Sequence, residues 1–74
     1  MEDYRINVSD IEELQNIGNR DALDAIFVKA KSAIVNGEAT ILFRKFGDAH
    51  SEVFNVITTL EDLENYQKEV YKYL

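Results

Sequence analysis

The single histidine of the chain lies among residues of the types that bind metal ions. Asp48, His50 and Glu52 are spaced two residues apart within the stretch FRKFGDAHSEVF. Imidazole and carboxylate groups are ligands for zinc and manganese, and alternate positions on a strand point to the same side. Here the spacing crosses a loop, where that alternation is not assured, and the chain has no second histidine and no cysteine. We therefore expect no metal site, and Asp48 is expected to serve a turn beside Gly47.

The neighbouring pair His50 and Ser51 combines a base with a hydroxyl nucleophile. Adjacent residues of an extended segment point apart, and no orienting acid or oxyanion donor can be identified near them. The chain contains no dinucleotide-binding glycine motif, no phosphate-binding loop and no HExxH motif. The sequence thus predicts that the protein is not an enzyme and needs no cofactor.

The run Phe43-Arg44-Lys45-Phe46 has a composition suited to nucleic acid, because aromatic rings stack on bases while cations contact phosphates. Against this, the chain has 14 acidic and 8 basic residues, a net charge of −6. An acidic surface repels phosphate and anionic lipid. Nucleic-acid binding through this strand is therefore the alternative hypothesis, and no membrane binding is expected.

The sequence predicts three helices, which must position the candidate residues of the FRKFGDAHSEVF stretch. The first has apolar residues at Ile11, Leu14 and Ile17, with a capping box from Ser9 to Glu12. The second helix begins after Asn19 and carries a long apolar stripe. The third helix begins at an N-cap provided by Thr58 or Thr59. Their predicted bounds are about 9–17, 20–36 and 59–73.

Two segments rich in β-branched and aromatic residues flank Gly47-Asp48 and predict an antiparallel hairpin over about 39–58. Alternation over residues 4–8 indicates a further short strand. The expected fold is one α+β domain spanning 1–74, with an antiparallel sheet of two or three strands packed against the helices.

The hairpin register follows from matching the apolar residues across the strands. With Gly47 to His50 as the loop, Phe46 lies opposite Ser51, and the pairs that follow are Lys45 with Glu52, Phe43 with Phe54, and Ile41 with Val56. This register predicts a core pair of Phe43 with Phe54 and leaves a mixed second face, consisting of Thr40, Leu42, Arg44, Phe46, Val53, Asn55 and Ile57. Either the last helix or the N-terminus covers that face, or it meets another chain.

Tyrosines are concentrated in the last predicted helix. Tyrosine is frequent at protein interfaces, although such residues also flank a core with their hydroxyl groups in water. The candidate partner surface therefore combines the helix with the second hairpin face, and consists of Leu42, Arg44, Phe46, Val53, Ile57, Tyr66, Tyr71 and Tyr73.

The composition narrows the function further. A chain of 74 residues without cysteine has to be stabilised by packing alone, which makes a partner or a homodimer a reasonable expectation. The longest apolar run is far too short to span a membrane, and the N-terminal residues do not form a signal peptide, so a cytoplasmic location is expected. We expect a small acidic protein that binds another protein or itself, as an interaction or regulatory domain without catalysis.

Overall fold

The computed structural model describes residues 3–47 and 50–74. It has α+β architecture, and the described residues form three strands and three helices. The elements in chain order are β1 Tyr4–Asn7, α1 Val8–Asn16, α2 Arg20–Val35, β2 Thr40–Phe46, β3 His50–Ile57 and α3 Leu60–Tyr71.

Each helix begins at a polar side chain that caps its first turn. The Asn19 and Thr59 side chains accept hydrogen bonds of 3.1 Å from the N–H groups of Ala22 and Asp62, as the sequence predicts for α2 and α3. For α1 the prediction of a cap at Ser9 is wrong. Asn7 caps this helix instead and accepts from the Ser9 N–H at 3.0 Å, because β1 runs directly into α1 without a loop.

Glycine ends both α1 and α2: Gly18 and Gly37 have positive φ angles. Gly37 has a φ of +85°, a conformation that costs glycine little. Its N–H donates to the Ile34 carbonyl at 3.0 Å, and the Glu38 N–H donates to the Ala33 carbonyl at 2.8 Å. These two bonds are those of a Schellman motif, which satisfies carbonyls that the end of a helix leaves free.

The sheet has the strand order β1-β2-β3 and is mixed, whereas the sequence predicted an antiparallel sheet. β2 and β3 are antiparallel as predicted, but β1 pairs with β2 in parallel, with Ile6 opposite Leu42. The reason is that α1 and α2 carry the chain back to the end of the sheet at which β1 begins. β2 starts at that same end and therefore runs parallel to β1. The predicted N-terminal strand is confirmed, and it ends at Asn7.

The helices form one layer on one face of the sheet. The Cα atoms extend over 31 × 30 × 16 Å, and the short dimension has room for two layers of secondary structure. The buried core consists of Ile6, Leu42 and Ile57 from the strands and Val8, Ile11, Leu23, Phe27, Ala30, Leu63 and Val70 from the helices and their ends. Thr40 is the one buried polar residue among those described, and its hydroxyl donates to the Ala30 carbonyl at 3.4 Å.

The hairpin register agrees with the prediction only near the helices. Ile41 lies opposite Val56 as expected, but the register shifts between Leu42 and Phe43, so that Phe43 faces Val53. This shift leaves Phe54 without a partner, which is the arrangement of a β-bulge. The predicted pair of Phe43 with Phe54 is therefore wrong.

Beyond the bulge, the remaining pairs are also displaced by one residue. Lys45 lies opposite Ser51, and Phe46 lies opposite His50. The predicted pairs of Lys45 with Glu52 and of Phe46 with Ser51 are wrong because an inserted residue changes every pairing beyond it.

The two faces of the hairpin have the opposite roles to those predicted. Leu42 and Ile57, from the face predicted to be mixed, are each 1% exposed and lie beneath the helices. Phe43 and Val56, predicted to be core, lie on the face that the helix layer does not cover. The path of the chain through α1 and α2 decides which face of the sheet the helices cover. This path cannot be predicted from the number of apolar residues on each face of a strand.

Candidate functional site

Large apolar side chains are exposed on both sides of the hairpin. Phe46, Val53, Phe54 and Val56 have relative exposures of 51%, 49%, 55% and 50%. β-Branched and aromatic residues favour strand geometry, which explains why this segment extends. Phe46 and Phe54 lie on the side of the sheet that carries the helices, and their exposure means that the helix layer does not reach the hairpin end.

One side of the hairpin belongs to what we call the open sheet face. Alternation from the buried Ile6, Leu42 and Ile57 places the neighbouring residues of each strand on the opposite side. The open sheet face consists of Arg5, Ile41, Phe43, Lys45, Ser51, Val53 and Val56. It is therefore an apolar surface with a cation at either end.

Arg5 is held over the open sheet face by an aromatic ring. Its guanidinium carbon lies 4.8 Å from the centroid of the Phe43 ring, the geometry of a cation–π contact. In the part of the chain that the structure describes, no carboxylate forms a salt bridge with Arg5 or with Lys45. Within residues 3–47 and 50–74, the Arg5 guanidinium therefore has no acidic partner.

The opposite side of the hairpin forms a groove with α1 and α3, which we call the hairpin groove. Arg44, Phe46, Glu52 and Phe54 line its outer part, which has a volume of about 300 Å³. Its inner part also contains Arg44 and Phe54, together with Val8, Ile11, Glu12, Gln15, Tyr66, Glu69, Val70 and Tyr73. The groove is therefore apolar along its floor and has carboxylates on both walls.

A salt bridge crosses the hairpin groove. Arg44 Nη2 lies 2.5 Å from Glu12 Oε1, and both side chains are partly exposed. The bridge joins β2 to α1, and the Arg44 guanidinium is therefore committed to a partner within the chain. Burial, followed by the charge of Glu12, raises the pKa of Tyr66 in the same groove.

The structure separates the eight residues of the predicted partner surface. Leu42 and Ile57 are core residues and are not accessible to a partner. The hairpin groove brings together Arg44, Phe46, Tyr66 and Tyr73. Val53 lies on the open sheet face, on the other side of the hairpin. The predicted set thus combines members of two surfaces and of the core.

Tyr71, the remaining predicted residue, joins α3 to α2. Its hydroxyl donates to Asp24 Oδ1, its ring centroid lies 5.7 Å from that of Phe27, and the guanidinium carbon of Arg20 lies 5.1 Å from the Tyr71 ring. Burial and the Asp24 carboxylate raise the pKa of Tyr71 to about 12, while Gln67 and Arg20 act in the opposite direction. These contacts give Tyr71 a place in the packing of the helices.

Arg5 and Val56 are site residues that sequence reasoning did not find. Arg5 comes to the open sheet face only because β1 pairs with β2, a pairing between residues 36 positions apart, with Arg5 opposite Ile41. The signal available in the sequence was the alternation of residues 4–8, because consecutive residues of a strand point to opposite faces and Arg5 therefore points away from the face of Ile6.

Metal binding and catalysis obtain no new support from the described residues. Asp48 lies outside them, so the Asp48, His50 and Glu52 cluster is not described as a whole. Among residues 3–47 and 50–74, no group of three His, Cys, Asp or Glu side chains is placed to hold a metal ion. His50 and Ser51 are consecutive residues of β3, and their side chains therefore point to opposite faces.

A second groove lies between α2 and α3. It has a volume of about 700 Å³ and is lined by Asp24, Phe27, Val28, Lys31, Leu60, Leu63, Glu64 and Gln67. Half of its lining residues are apolar, and two of these, Val28 and Leu60, are 64% and 44% exposed. The other half is polar and includes charges of both signs. This groove thus has two exposed large apolar residues, whereas the hairpin has four. None of the helices formed by the described residues is long and apolar enough to cross a bilayer.

Comparison of the chain with protein-family models, with curated proteins and with solved structures gave no match. A functional hypothesis therefore depends on the residues of this chain alone.

Proposed function

We propose that the protein acts by binding another polypeptide, a different protein or a second copy, through its β2–β3 hairpin, and that it has no catalytic role. The observation that carries this proposal is the exposure of Phe46, Val53, Phe54 and Val56 on both sides of one hairpin. Exposed apolar patches, of which each side of the hairpin carries one, are characteristic of contact sites, because leaving them in water has a free-energy cost that a partner removes.

The position of these residues on a sheet supports the proposal. The strands hold the side chains in fixed directions, so little conformational entropy is lost when a partner binds. Phe46 and Phe54 lie beside Arg44, and aromatic residues and arginine are both enriched at interfaces. A cytoplasmic location stays a prediction from the sequence.

The test compares two double variants. Val53→Thr with Val56→Thr retains the shape and strand propensity of the hairpin but places hydroxyl groups on its apolar surface. Val28→Thr with Val35→Thr is the matched control, since these α2 valines are 64% and 65% exposed. Partners captured by the tagged wild-type chain are identified by mass spectrometry, and each is then purified and titrated against all three chains by calorimetry.

The proposal predicts that a purified partner binds the wild-type and control chains equally and binds the hairpin variant at least tenfold more weakly. Sedimentation at micromolar concentration applies the same comparison to self-association. A partner whose affinity is lowered by the α2 variant and not by the hairpin variant contradicts the proposal. A strict monomer for which no purified partner binds also contradicts it.

Nucleic-acid binding remains the second candidate, supported by the juxtaposition of Phe43, Arg5 and Lys45 on one open face. Two features oppose it: the net charge is −6, and Arg5 already occupies a face of the Phe43 ring. Arg44 pairs with Glu12 on the other side, so the Arg44 and Lys45 cations do not form one phosphate-binding patch. Anisotropy titration of a labelled single strand at low salt tests it, and binding that Phe43→Leu abolishes would favour this candidate.

A further inference from the structure

We propose that the open sheet face binds a polypeptide segment whose apolar side chains are bordered by carboxylates. This inference rests on the proposed function and specifies the chemistry of the partner. It follows from the uncovered state of the face, the form of its edge strand and the sign of its charges.

The open sheet face has space for an additional layer. The short dimension of 16 Å accommodates the sheet and the helices alone. Val53 and Val56 remain 49% and 50% exposed on a face where Ile41 and Phe43 of the central strand are only partly buried. A partner that packs on this face would therefore bury apolar surface from both β2 and β3.

The edge of the sheet is less suited to a partner than its face. β1 and β3 are the two edge strands, and an exposed edge can pair with a strand of another chain. β1 is only four residues long and therefore offers a short edge. However, the bulge at Phe54 interrupts β3 in its middle, and bulges on edge strands disfavour continuous pairing with an added strand. The geometry thus favours a segment that packs across the open sheet face over one that extends the sheet.

The charges of the face determine the chemistry of that segment. Arg5 and Lys45 contribute two cations, whereas Glu52 is paired in register with Arg44 and belongs to the opposite side. Among residues 3–47 and 50–74, the strands β1, β2 and β3 place no carboxylate on the open sheet face. Asp3, which precedes β1, uses its Oδ1 to accept from the Ala39 N–H at 2.9 Å. The Arg5 guanidinium is already ordered over Phe43, and an ordered planar guanidinium favours a bidentate contact with a carboxylate.

The net negative charge of the protein does not prevent this contact. Acidic residues are concentrated on the helices, where α1 and α3 carry Asp10, Glu12, Glu13, Glu61, Asp62, Glu64 and Glu69. A helix layer lies roughly 10 Å from the sheet it covers, and charges separated by more than the Debye length of about 8 Å at physiological salt are largely screened. Contacts at the face therefore depend mainly on Arg5 and Lys45.

A second copy is the less favourable occupant. Packing two open sheet faces against one another would collect Arg5 and Lys45 of both copies in one interface that receives no carboxylate from the face residues. Like charges in a desolvated interface are unfavourable. A nucleic-acid strand is also less favourable, because the face offers one aromatic ring, Phe43, and sheet readers of single strands stack two or three bases.

The test uses two synthetic helical peptides that share one leucine stripe. One has glutamate and the other has lysine at the positions bordering the stripe. Each is titrated into the full chain while NMR follows the methyl groups of Ile41, Val53 and Val56. We expect the glutamate peptide to shift these methyl signals and to bind at least tenfold more tightly than the lysine peptide. Its affinity should fall as salt is added.

Two double variants test whether the charges of Arg5 and Lys45 cause the preference, and the second can be used if the first does not fold. Arg5→Glu with Lys45→Glu should reverse the preference, so that the lysine peptide binds more tightly. Arg5→Gln with Lys45→Gln should remove the preference and leave both peptides equal, and it provides the same test if charge reversal prevents folding. Amide spectra of each variant verify the fold.

The results that overturn the inference are distinct from those that overturn the proposed function. Equal binding of both peptides to the wild-type open sheet face would refute the charge argument and leave hairpin binding intact. Shifts confined to the groove between α2 and α3, or no hairpin shifts with either peptide, would overturn the inference, whereas the proposed function is decided by the purified partners and by sedimentation. Two further results would overturn the inference alone: a dimer through this face, or tighter binding of a single-stranded oligonucleotide than of the glutamate peptide.

Discussion

Leu42 and Ile41 are neighbours on β2 and provide the sharpest test of which sheet face is the core. Leu42 is 1% exposed and belongs to the buried cluster beneath the helices, whereas Ile41 is partly exposed on the open sheet face. Truncation of each side chain to alanine removes a similar amount of apolar surface from the same strand. The two variants therefore differ mainly in what surrounds the side chain.

The expected magnitudes follow from burial. Leu→Ala at a buried site costs about 2.7–5.0 kcal/mol, because the transfer free energy is lost and a cavity remains. A chain of 74 residues has a free energy of unfolding of roughly 4–11 kcal/mol, so Leu42→Ala should remove a large part of it. Ile41 loses only partial burial against Val56 and some strand propensity, which together amount to about 1 kcal/mol.

Urea unfolding followed by circular dichroism measures both variants, and the m-value verifies that each transition exposes a similar surface. The difference between Leu42→Ala and Ile41→Ala should be about 2 kcal/mol or more. If Leu42→Ala does not fold, Ile57→Val, with an expected cost of about 0.5–1.5 kcal/mol, is compared with Ile41→Val, which should cost less because Ile41 is only partly buried. Should Ile41→Ala prove as costly as Leu42→Ala, the assignment of the helices to the Leu42 face would be wrong.

Three further predictions concern the contacts that join the layers. Tyr71→Phe should lower the free energy of unfolding by about 1 kcal/mol at neutral pH, because the hydrogen bond to Asp24 is lost. Since the folded state raises the pKa of Tyr71 from 10.0 to about 12, its stabilisation is complete below pH 10 and is lost as pH rises towards 12. Urea titrations across that range should show a steeper loss for wild type than for Tyr71→Phe, and equal slopes would contradict this. Arg44→Gln should cost only about 0.2–1 kcal/mol, since its bridge to Glu12 is partly exposed; a double-mutant cycle with Glu12→Gln measures the pair, and a coupling above about 2 kcal/mol would refute the assignment. Thr40→Val should leave the thermal midpoint unchanged or higher, because the long 3.4 Å hydrogen bond is exchanged for a buried methyl group, and a marked fall in the midpoint would show that the hydroxyl is structurally necessary.

The helices could be predicted from the sequence because their signals are local. Asn19 and Gly37 lie within one turn of the ends that they cap, and the apolar stripe of α2 repeats within a single helix. The prediction that Ser9 caps α1 was wrong, and the reason is also local. Asn7, the last residue of β1, lies two positions before Ser9, and its side chain accepts from the Ser9 N–H and so caps the first turn.

The candidate site could be predicted only in part. The hairpin itself was evident from its β-branched and aromatic residues, and Arg44, Phe46 and Val53 are exposed or partly exposed on it. Leu42 and Ile57 were assigned to the wrong environment, because alternation divides a strand into two faces but does not identify which face is buried. The bulge at Phe54 caused a second error, in the pairing of the hairpin residues beyond it. In a run of large apolar residues, no residue type indicates where an extra residue is inserted.

The sequence by itself determined the α+β class, the extent of the helices and the existence of the hairpin and the N-terminal strand. These features depend on caps, periodicity and turn residues that interact over a few positions. The tertiary structure alone decided that β1 pairs in parallel with β2, that Arg5 lies over Phe43, and that the helices cover Leu42 and not Ile41. These outcomes depend on contacts between residues distant in the chain, whose free energy is set by how whole layers pack together.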